Sequence, residues 1–240
     1  LLEQNHLNEK DNNYLVAIYA LPKSSTKQTT KHAAIPFGLS CIDISTGEYT
    51  VHICADSSDV LAQCERLQAK ELLIPSLPDT SQKNESIRQS LNDITETLTD
   101  LTAITTSSYY PIESKSATEK ILTHFNIQSL SAFGITEYEA ALPAAWAILD
   151  YVKNTQKNNV LQITKLTPLL STKTLYMDTT TIRNLELTTA IHQPTQHNKD
   201  AKKSTLFSVL NATKTACGAR KLKHWIKSPL LDKSHINHRL

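Results

Sequence analysis

The chain has 240 residues, of which 40% are hydrophobic and 20% charged, a composition typical of a chain that buries a core. Its longest nearly unbroken apolar stretch, residues 140–149, is about half as long as a membrane-spanning helix. Residues 1–13 lack the basic start and apolar run of a secretory signal. Only four glycines are present, which excludes the glycine-rich phosphate loops of P-loop and Rossmann enzymes.

The net charge of +2 is unevenly distributed. Residues 199–240 contain ten basic and two acidic residues, a net charge of +8, whereas residues 1–198 carry 15 basic and 21 acidic residues, a net charge of −6. Such asymmetry can mark a segment that faces nucleic acid. A solvated helical face explains it equally well.

The four cysteines show no C-x-x-C spacing that would indicate a metal or redox motif; they are Cys41, Cys54, Cys64 and Cys217. In a chain of this length they are expected to be buried, reduced thiols. We therefore expect a cytoplasmic protein with no membrane association.

The first third of the chain alternates between strand and helix patterns. Residues 14–20 predict a strand buried on both faces, and residues 37–44 and 49–54 predict a β-hairpin in which Gly47 takes a positive φ. A helix should follow a cap at Asp56 or Ser57. Further strands are predicted at 71–74 and 103–106, and a helix at 85–91. Together these elements predict a mixed α/β sheet domain.

From about residue 111 the apolar positions recur with helical spacing. Helices are predicted at 113–125, at 136–155 with Pro143 in its first turn, from an N-cap at Asp178 to 187, and at 205–212, 217–227 and 233–240. A short extended piece is expected at 174–177 and an exposed loop at 190–203. The chain ends within a helical pattern without a C-cap, which predicts a fragment of a longer protein.

Two stretches of the helical half carry a specific pattern. Residues 181–187 read TIRNLEL, and residues 205–232 read TLFSVLNATKTACGARKLKHWIKSPLLD. Both resemble, nearly position for position, the start of the core domain in the MutS family of DNA mismatch-recognition proteins. Upstream, Phe37-Gly38 and residues 43–48 resemble the hairpin of that family's connector domain. The resemblance covers essentially the whole chain, apart from polar insertions at 21–34 and 193–203.

The resemblance implies an α/β RNase H-like connector domain at residues 13–112, followed by an all-α start of the core, or lever, domain at 113–240. Residues 1–12 would be a linker from a preceding domain. In this family the connector and core couple mismatch binding to the ATPase state, and the connector contacts MutL. The implied partners of the homodimeric parent protein are DNA and MutL, with ATP and Mg²⁺ as its cofactors.

Two of the family's functional motifs do not occur in these 240 residues. None of the four phenylalanines is followed by x-Glu, the mismatch-reading pattern, and no Walker A string is present. We therefore expect this chain to be non-catalytic and to hold no cofactor or metal.

The resemblance also assigns a structural role to nine side chains of the two motifs. They are Arg183, Asn184, Glu186, Gly218, Arg220, Leu222, Lys223, Trp225 and Pro229. Because buried Arg and Glu must be paired, we expect the first three to form a polar network inside the core, with direct DNA contact less favoured. Leu222 and Trp225 share a helix face and are expected to be core anchors. The basic loop offers weak DNA contacts at Lys199, Lys202 and Lys203.

Two other functions remain open from the residues alone. An RNase H-like nuclease would hold metal ions between Asp43 and other carboxylates, which could come from Glu48, Asp56, Asp59 and Glu71. Carboxylates at turns and helix starts have a sufficient structural role, so this is the less favoured interpretation. A basic DNA-binding module that uses the +8 tail is the other alternative.

The spacing of residues along the chain argues against a zinc site and against a serine hydrolase. Zinc sites need three or four ligands, and the pairs His192/His197 and His235/His238, like Cys217, each lack a third ligand nearby. We interpret the four histidines as surface side chains. The G-x-S-x-G motif of serine hydrolases is absent.

Overall fold

The computed structural model describes residues 13–21, 35–44, 46–77, 85–101, 104–155, 163–169, 174–175, 177, 179–191 and 205–239. They fall into two units. We call Asn13–Leu169 the sheet unit and the described residues from 174 to 239 the helical unit. The expected boundary at residue 112 is corrected to residue 169, because the first two predicted helices of the second half pack on the sheet.

A six-stranded mixed sheet forms the centre of the sheet unit. Its strands are β1 (Tyr14–Ala20), β2 (Phe37–Asp43), β3 (Glu48–Cys54), β4 (Glu71–Pro75), β5 (Thr105–Tyr109) and β6 (Thr167–Pro168). The strand order is β5-β4-β1-β2-β3-β6. Strands β1, β2 and β3 are antiparallel neighbours, whereas β4, β5 and β6 pair parallel with β1, β4 and β3. The predicted mixed α/β sheet is confirmed, and β6 is an addition to it.

The predicted hairpin joins β2 to β3 with Asp43 directly opposite Glu48. Gly47 has a φ of 73°, a left-handed conformation that glycine adopts without steric cost. Its N–H donates to the Asp43 carbonyl oxygen at 2.8 Å and closes the turn. The described residues of the hairpin therefore close the tight turn that the sequence predicts.

The described part of the sheet unit contains four helices. They are α1 (Ser57–Leu67), α2 (Glu85–Leu101), α3 (Ser114–Phe125) and α4 (Leu142–Thr155), with two 3₁₀ turns (Leu130–Phe133 and Thr136–Ala141) before α4. Asp56 caps α1, since its side chain accepts from the Asp59 N–H at 2.9 Å. Pro143 is the second residue of α4, where its missing N–H has no helical partner to lose. Helix α2 runs ten residues beyond the predicted end at residue 91.

The sheet is covered on both faces, because alternate residues of its central strands are apolar on both sides. Leu15 and Ala17 of β1 lie in the cluster formed with α3 and α4, whereas Val16 and Ile18 lie in the cluster formed with α1 and α2. Helix α4 packs against β1 and β2. Residues 113–155 thus bury their apolar stripe on the sheet rather than in a separate helical domain.

The helical unit contains α5 (Thr179–Asn184), α6 (Leu206–Leu210), α7 (Ala216–Lys227) and α8 (Lys233–Arg239). An isolated β-bridge between Thr174 and Leu230 is its one non-helical pairing within the described residues. The predicted linker at 1–12, the N-cap at Asp178 and all but the first two residues of the loop predicted at 190–203 lie outside those residues. No helix in the described part of the chain has the length and apolarity needed to cross a membrane.

Candidate functional site

The motif residues concentrate on α7, which begins at a well-formed cap. The Thr215 side chain accepts from the Gly218 N–H at 3.1 Å. A Cβ added at Gly218 would lie 3.2 Å from Thr215 Oγ1 and 3.3 Å from Thr213 Cβ, tighter than most such contacts. Glycine at this position therefore lets the threonine cap close over the first turn of α7. Cys217, in the same turn, is exposed, so the expectation of a buried thiol is wrong at this position and holds for the other three cysteines.

The end of α7 is joined to the segment that precedes α5. The Ser228 N–H donates to the His224 carbonyl oxygen at 2.9 Å, and Pro229 then ends the helix. The Pro229 carbonyl oxygen accepts from the Leu175 N–H at 2.8 Å, next to the Thr174–Leu230 bridge. Pro229 thus lies where α7 ends and where the chain pairs with the segment before α5.

The side chain of Trp225 is 39% exposed, so the expected core anchor is corrected to a surface aromatic side chain. Leu222 is half-buried, and Ala219 is the buried residue of α7. The guanidinium of Arg239 lies 4.7 Å from the Trp225 ring centroid, and Lys221 Nζ lies 5.9 Å from it. Two cationic side chains therefore lie within cation–π distance of this indole.

The expected buried network of Arg183, Asn184 and Glu186 is wrong in part, because Arg183 and Asn184 are exposed. Glu186 is half-buried, with a φ of 46°, and its Oε1 accepts from the Ile191 N–H at 2.8 Å. Its carbonyl oxygen accepts from the Leu206 N–H at 3.2 Å. The first motif therefore forms a backbone joint to the start of α6 rather than a buried ion pair.

Helix α7 carries only basic charges along its length. Arg220, Lys223 and Lys227 are half-buried and Lys221 is exposed. Lys223 Nζ lies 5.0 Å from the Phe207 ring centroid, which ties α7 to α6. The other candidate DNA contacts, Lys199, Lys202 and Lys203, lie outside the described residues. The helix offers phosphate-neutralising side chains but no arrangement specific for a base.

The carboxylates of the nuclease alternative do not converge. Asp43 is fully buried, and its Oδ1 accepts from the Asn13 N–H at 3.2 Å. Glu48 lies across the turn, where its Oε2 accepts from the Tyr14 hydroxyl at 3.5 Å. Within the described residues, the one group of three or more metal-ligating side chains that lie close together contains neither of them. The arrangement does not favour a two-metal nuclease.

Glu71, another of those carboxylates, joins three elements of the sheet unit. It is only 8% exposed on β4, and it accepts from the hydroxyl of Tyr151 on α4 and from that of Ser107 on β5, the latter at 3.1 Å. Burial first, and then the hydrogen bond to Glu71, raise the pKa of Tyr151. Glu71 is a satisfied structural carboxylate.

Comparison with known protein families finds a matching domain model for each of the two units. The family model for MutS domain II matches residues 13–164, which is well over half of the chain and nearly all of the sheet unit. The chain belongs to the MutS family. The model for MutS domain III matches residues 180–240, which include all the described motif helices.

Individual relatives give the same result. The chain is similar to DNA mismatch repair protein MutS of Methanosarcina mazei, at 31% identity over 97% of the chain. It is 31% identical to the protein of the same name from Dehalococcoides mccartyi over its full length, and 32% identical to that of Nostoc punctiforme over 97%. The chain spans about a quarter of the length of each of these relatives (24%).

The MutS motifs were found in the sequence because they are contiguous. A further group, His52, Cys54 and Asp59, was missed as a set, although Asp59 was weighed as a nuclease carboxylate. The only sign of this group in the sequence is the pattern His-x-Cys on a predicted strand. Side chains alternate between the two faces of a strand, so His52 and Cys54 share one face. Spacing along the chain cannot show that a helix residue completes the set.

Proposed function

We propose that this chain is the connector and the start of the core of a DNA mismatch-repair protein, with a mechanical rather than a chemical role. The observation that carries the proposal is the succession of domain II and domain III matches, at 13–164 and 180–240, on two separate structural units. In the full-length protein these units would relay mismatch binding to the ATPase state.

An RNase H-like fold for the connector is part of this proposal. Three antiparallel strands, β1 to β3, are followed by β4 and β5, which add in parallel on the other side of β1. This strand order supports the fold that the family resemblance implies. Its carboxylates have structural partners, so the proposal assigns it no nuclease activity.

Packing on both faces of the sheet supports a relay role for the connector. Tightly packed elements move between discrete arrangements rather than deform smoothly, so they can pass on a displacement. Gly38 of β2 illustrates the tightness, because a Cβ there would lie 2.6 Å from the Ala141 Cα. The sheet unit would therefore move as one body.

The chain's own residues do not fit an ATP site. Its glycines lie in strand β2, in the β2–β3 turn, after the first 3₁₀ turn and in α7, and none belongs to a Walker A string. We propose that ATP and Mg²⁺ bind elsewhere in the full-length protein. Purified chain should show no saturable Mg²⁺-dependent ATP hydrolysis, and such turnover would contradict the assignment.

DNA binding by the chain alone should be weak, insensitive to a mismatch and strongly salt-dependent, because only phosphate contacts are available. Fluorescence anisotropy with matched and mismatched duplexes at two salt concentrations measures all three properties. Tight, mismatch-selective binding at physiological salt would instead support the DNA-binding module as a complete function of this chain.

We propose that the connector offers a surface to MutL in the full-length, homodimeric, cytoplasmic protein. Such binding depends on a nucleotide state that the isolated chain cannot reach, so the test uses the full-length protein with mismatched DNA and ATP. Two variants probe opposite faces of the sheet unit: Asp93→Lys with Glu96→Lys on α2, and Glu137→Lys with Glu139→Lys before α4. All four side chains are exposed.

Loss of MutL binding in one of the two charge-reversal variants supports the partner role and locates the surface. Unchanged binding in both, with ATPase activity and mismatch binding retained, would reduce the connector to a spacer.

A further inference from the structure

Three side chains of different chemistry converge at the end of β3, away from the motif helices. They are His52 and Cys54 of β3 and Asp59 in the first turn of α1. One ring nitrogen of His52, the Cys54 sulfur and one Asp59 carboxylate oxygen all lie within 4.8 Å of one another. In the part of the chain that the structure describes, no other group of three such side chains is as close.

The local fold brings these three residues together. His52 and Cys54 are two apart on a strand, so both face the side of the sheet that α1 covers. The chain then turns directly into α1. Asp59 is held in place by the Ala55 N–H, which donates to Oδ2 at 3.2 Å, and by Gln63 Nε2, which donates to Oδ1 at 3.1 Å. The carboxylate is therefore oriented by neighbours that are not themselves part of the group.

His52 supplies a second, independent observation. Its Nδ1 is shielded from solvent and has no hydrogen-bond partner among the described residues. Buried polar atoms are rarely left without a partner, and each exception calls for a physical explanation, such as an absent ion. Cys54, its neighbour, is fully buried.

The charges of the group select a cation over an anion. Asp59 contributes a carboxylate, which repels an anion. Burial raises the pKa of the Cys54 thiol, so Cys54 adds a second negative charge only when a metal ion displaces its proton. The guanidinium of Arg66 acts electrostatically on Cys54 and on His52. It offsets part of the negative charge, and we therefore expect micromolar rather than picomolar affinity for a divalent cation.

We propose that His52, Cys54 and Asp59 bind one Zn²⁺ ion. Thiolate and imidazole ligands favour Zn²⁺ over Mg²⁺ or Ca²⁺. Zinc–ligand bonds of about 2.0–2.3 Å place the ligand atoms of a tetrahedral site about 3.5 Å apart. The three atoms here lie within 4.8 Å of one another, so side-chain rotations are enough to bring them to that separation. Three protein ligands leave the fourth position to water. The ion would clamp the end of β3 to the start of α1.

The test is a Zn²⁺ titration of the chelator-treated 240-residue chain by calorimetry, with Co²⁺ as a spectroscopic probe of thiolate binding. We expect one equivalent to bind through this group, a thiolate-to-cobalt charge-transfer band and a higher thermal midpoint with Zn²⁺. His52→Ala and Asp59→Asn should each weaken that binding by more than about tenfold, because even residues that only orient a ligand cost that much. Cys54→Ser should abolish the charge-transfer band.

Matched controls are Cys217→Ser and His235→Ala, which alter an exposed cysteine and an exposed histidine in the other unit. Both should bind Zn²⁺ as the unmodified chain does. Circular dichroism checks that each variant is folded. If Cys54→Ser unfolds, the Zn²⁺ affinity of Asp59→Asn decides the test, because this substitution keeps the shape of the side chain. Absence of micromolar binding, or binding that follows Cys217 or His235 instead, would overturn the proposal.

Discussion

Tyr151 of α4 donates its phenolic hydrogen to the carboxylate of Glu71, which is buried on the central part of the sheet. Ser107 of the neighbouring strand donates to the same oxygen. The contact crosses from a helix to two strands and joins residues that are 80 positions apart. This hydrogen bond holds α4 against the sheet in addition to the apolar packing between them.

Tyr151→Phe should lower the free energy of unfolding by about 1–3 kcal/mol, because it leaves a buried carboxylate with one donor fewer. Denaturant unfolding followed by circular dichroism measures the change. Tyr110→Phe is the matched control, since Tyr110 is 88% exposed, and it should leave stability unchanged. Equal effects of the two variants would mean that the Tyr151 hydroxyl contributes nothing.

Gly38→Ala should destabilise the sheet unit by about 3 kcal/mol, because the new methyl group overlaps the backbone of Ala141. Gly134→Ala tests a different cost: its φ is +65° and no heavy atom lies within 4 Å of the added Cβ. That variant should lose only about 1 kcal/mol, from backbone strain. Thermal and urea unfolding of both variants give the comparison, and a neutral Gly38→Ala would contradict the close packing.

Alkaline pH should unfold the sheet unit through its buried tyrosines. Burial raises the pKa of Tyr49 and of Tyr109 above the ordinary value of 10.0. Their hydroxyls donate to the carbonyl oxygens of Ala145 and Ile18. Because the folded chain keeps these phenols protonated, their contribution is complete below pH 10.0 and declines as the pH rises above it.

Phenolate absorbance and circular dichroism, recorded during one alkaline titration, provide the measurement. The last phenolate absorbance should appear together with the loss of folded signal. Tyr109→Phe should make the decline of stability with pH less steep. Complete ionisation of all eight tyrosines in a chain that is still folded would contradict the assignment.

Acid should release the cap of α8. Hydrogen bonds from the Ser234 hydroxyl and from the His235 backbone and ring lower the pKa of Asp232 from 3.8 to about 2. The carboxylate is solvent-exposed and its partners are its own neighbours in sequence, so the effect is local. A lowered pKa means that the cap is complete above pH 3.8 and is lost as the pH falls towards 2.

Backbone amide shifts of Ser234 and His235, followed by NMR, should titrate with Asp232. Asp232→Asn preserves a good capping side chain without a titrating carboxyl group, so these amides should no longer respond over that range. A response that persists in the variant would assign the transition to another group.

Local features of the fold could be predicted because they depend on neighbours in sequence. The β2–β3 hairpin needs only Gly47 in its turn, and the start of α1 needs only Asp56 as its cap. The assignment of α3 and α4 could not be predicted in this way. Their apolar spacing shows that each helix has a face to bury, but not whether the face packs on a sheet or on other helices.

The same distinction applies to the candidate sites. The motif around α7 could be recognised as a string, whereas the exposure of Trp225 depends on which helices surround it. The family resemblance implies that the helix with Arg183 and Asn184 packs inside the core, yet α5 is short and both residues are exposed. The group at His52, Cys54 and Asp59 depends on the angle at which α1 leaves β3, which has no signature in composition.

The strands of the hairpin precede in sequence the helices that pack on them, and this order has a consequence for synthesis on the ribosome. Strands β1 to β3 are complete at Cys54, but the helix that covers Leu15 and Tyr49 on one face ends only at Thr155. At roughly 5–20 residues per second, translation of the intervening hundred or so residues takes about 5–20 s. For that interval the β1–β3 segment of the nascent chain exposes apolar side chains that the folded sheet unit buries.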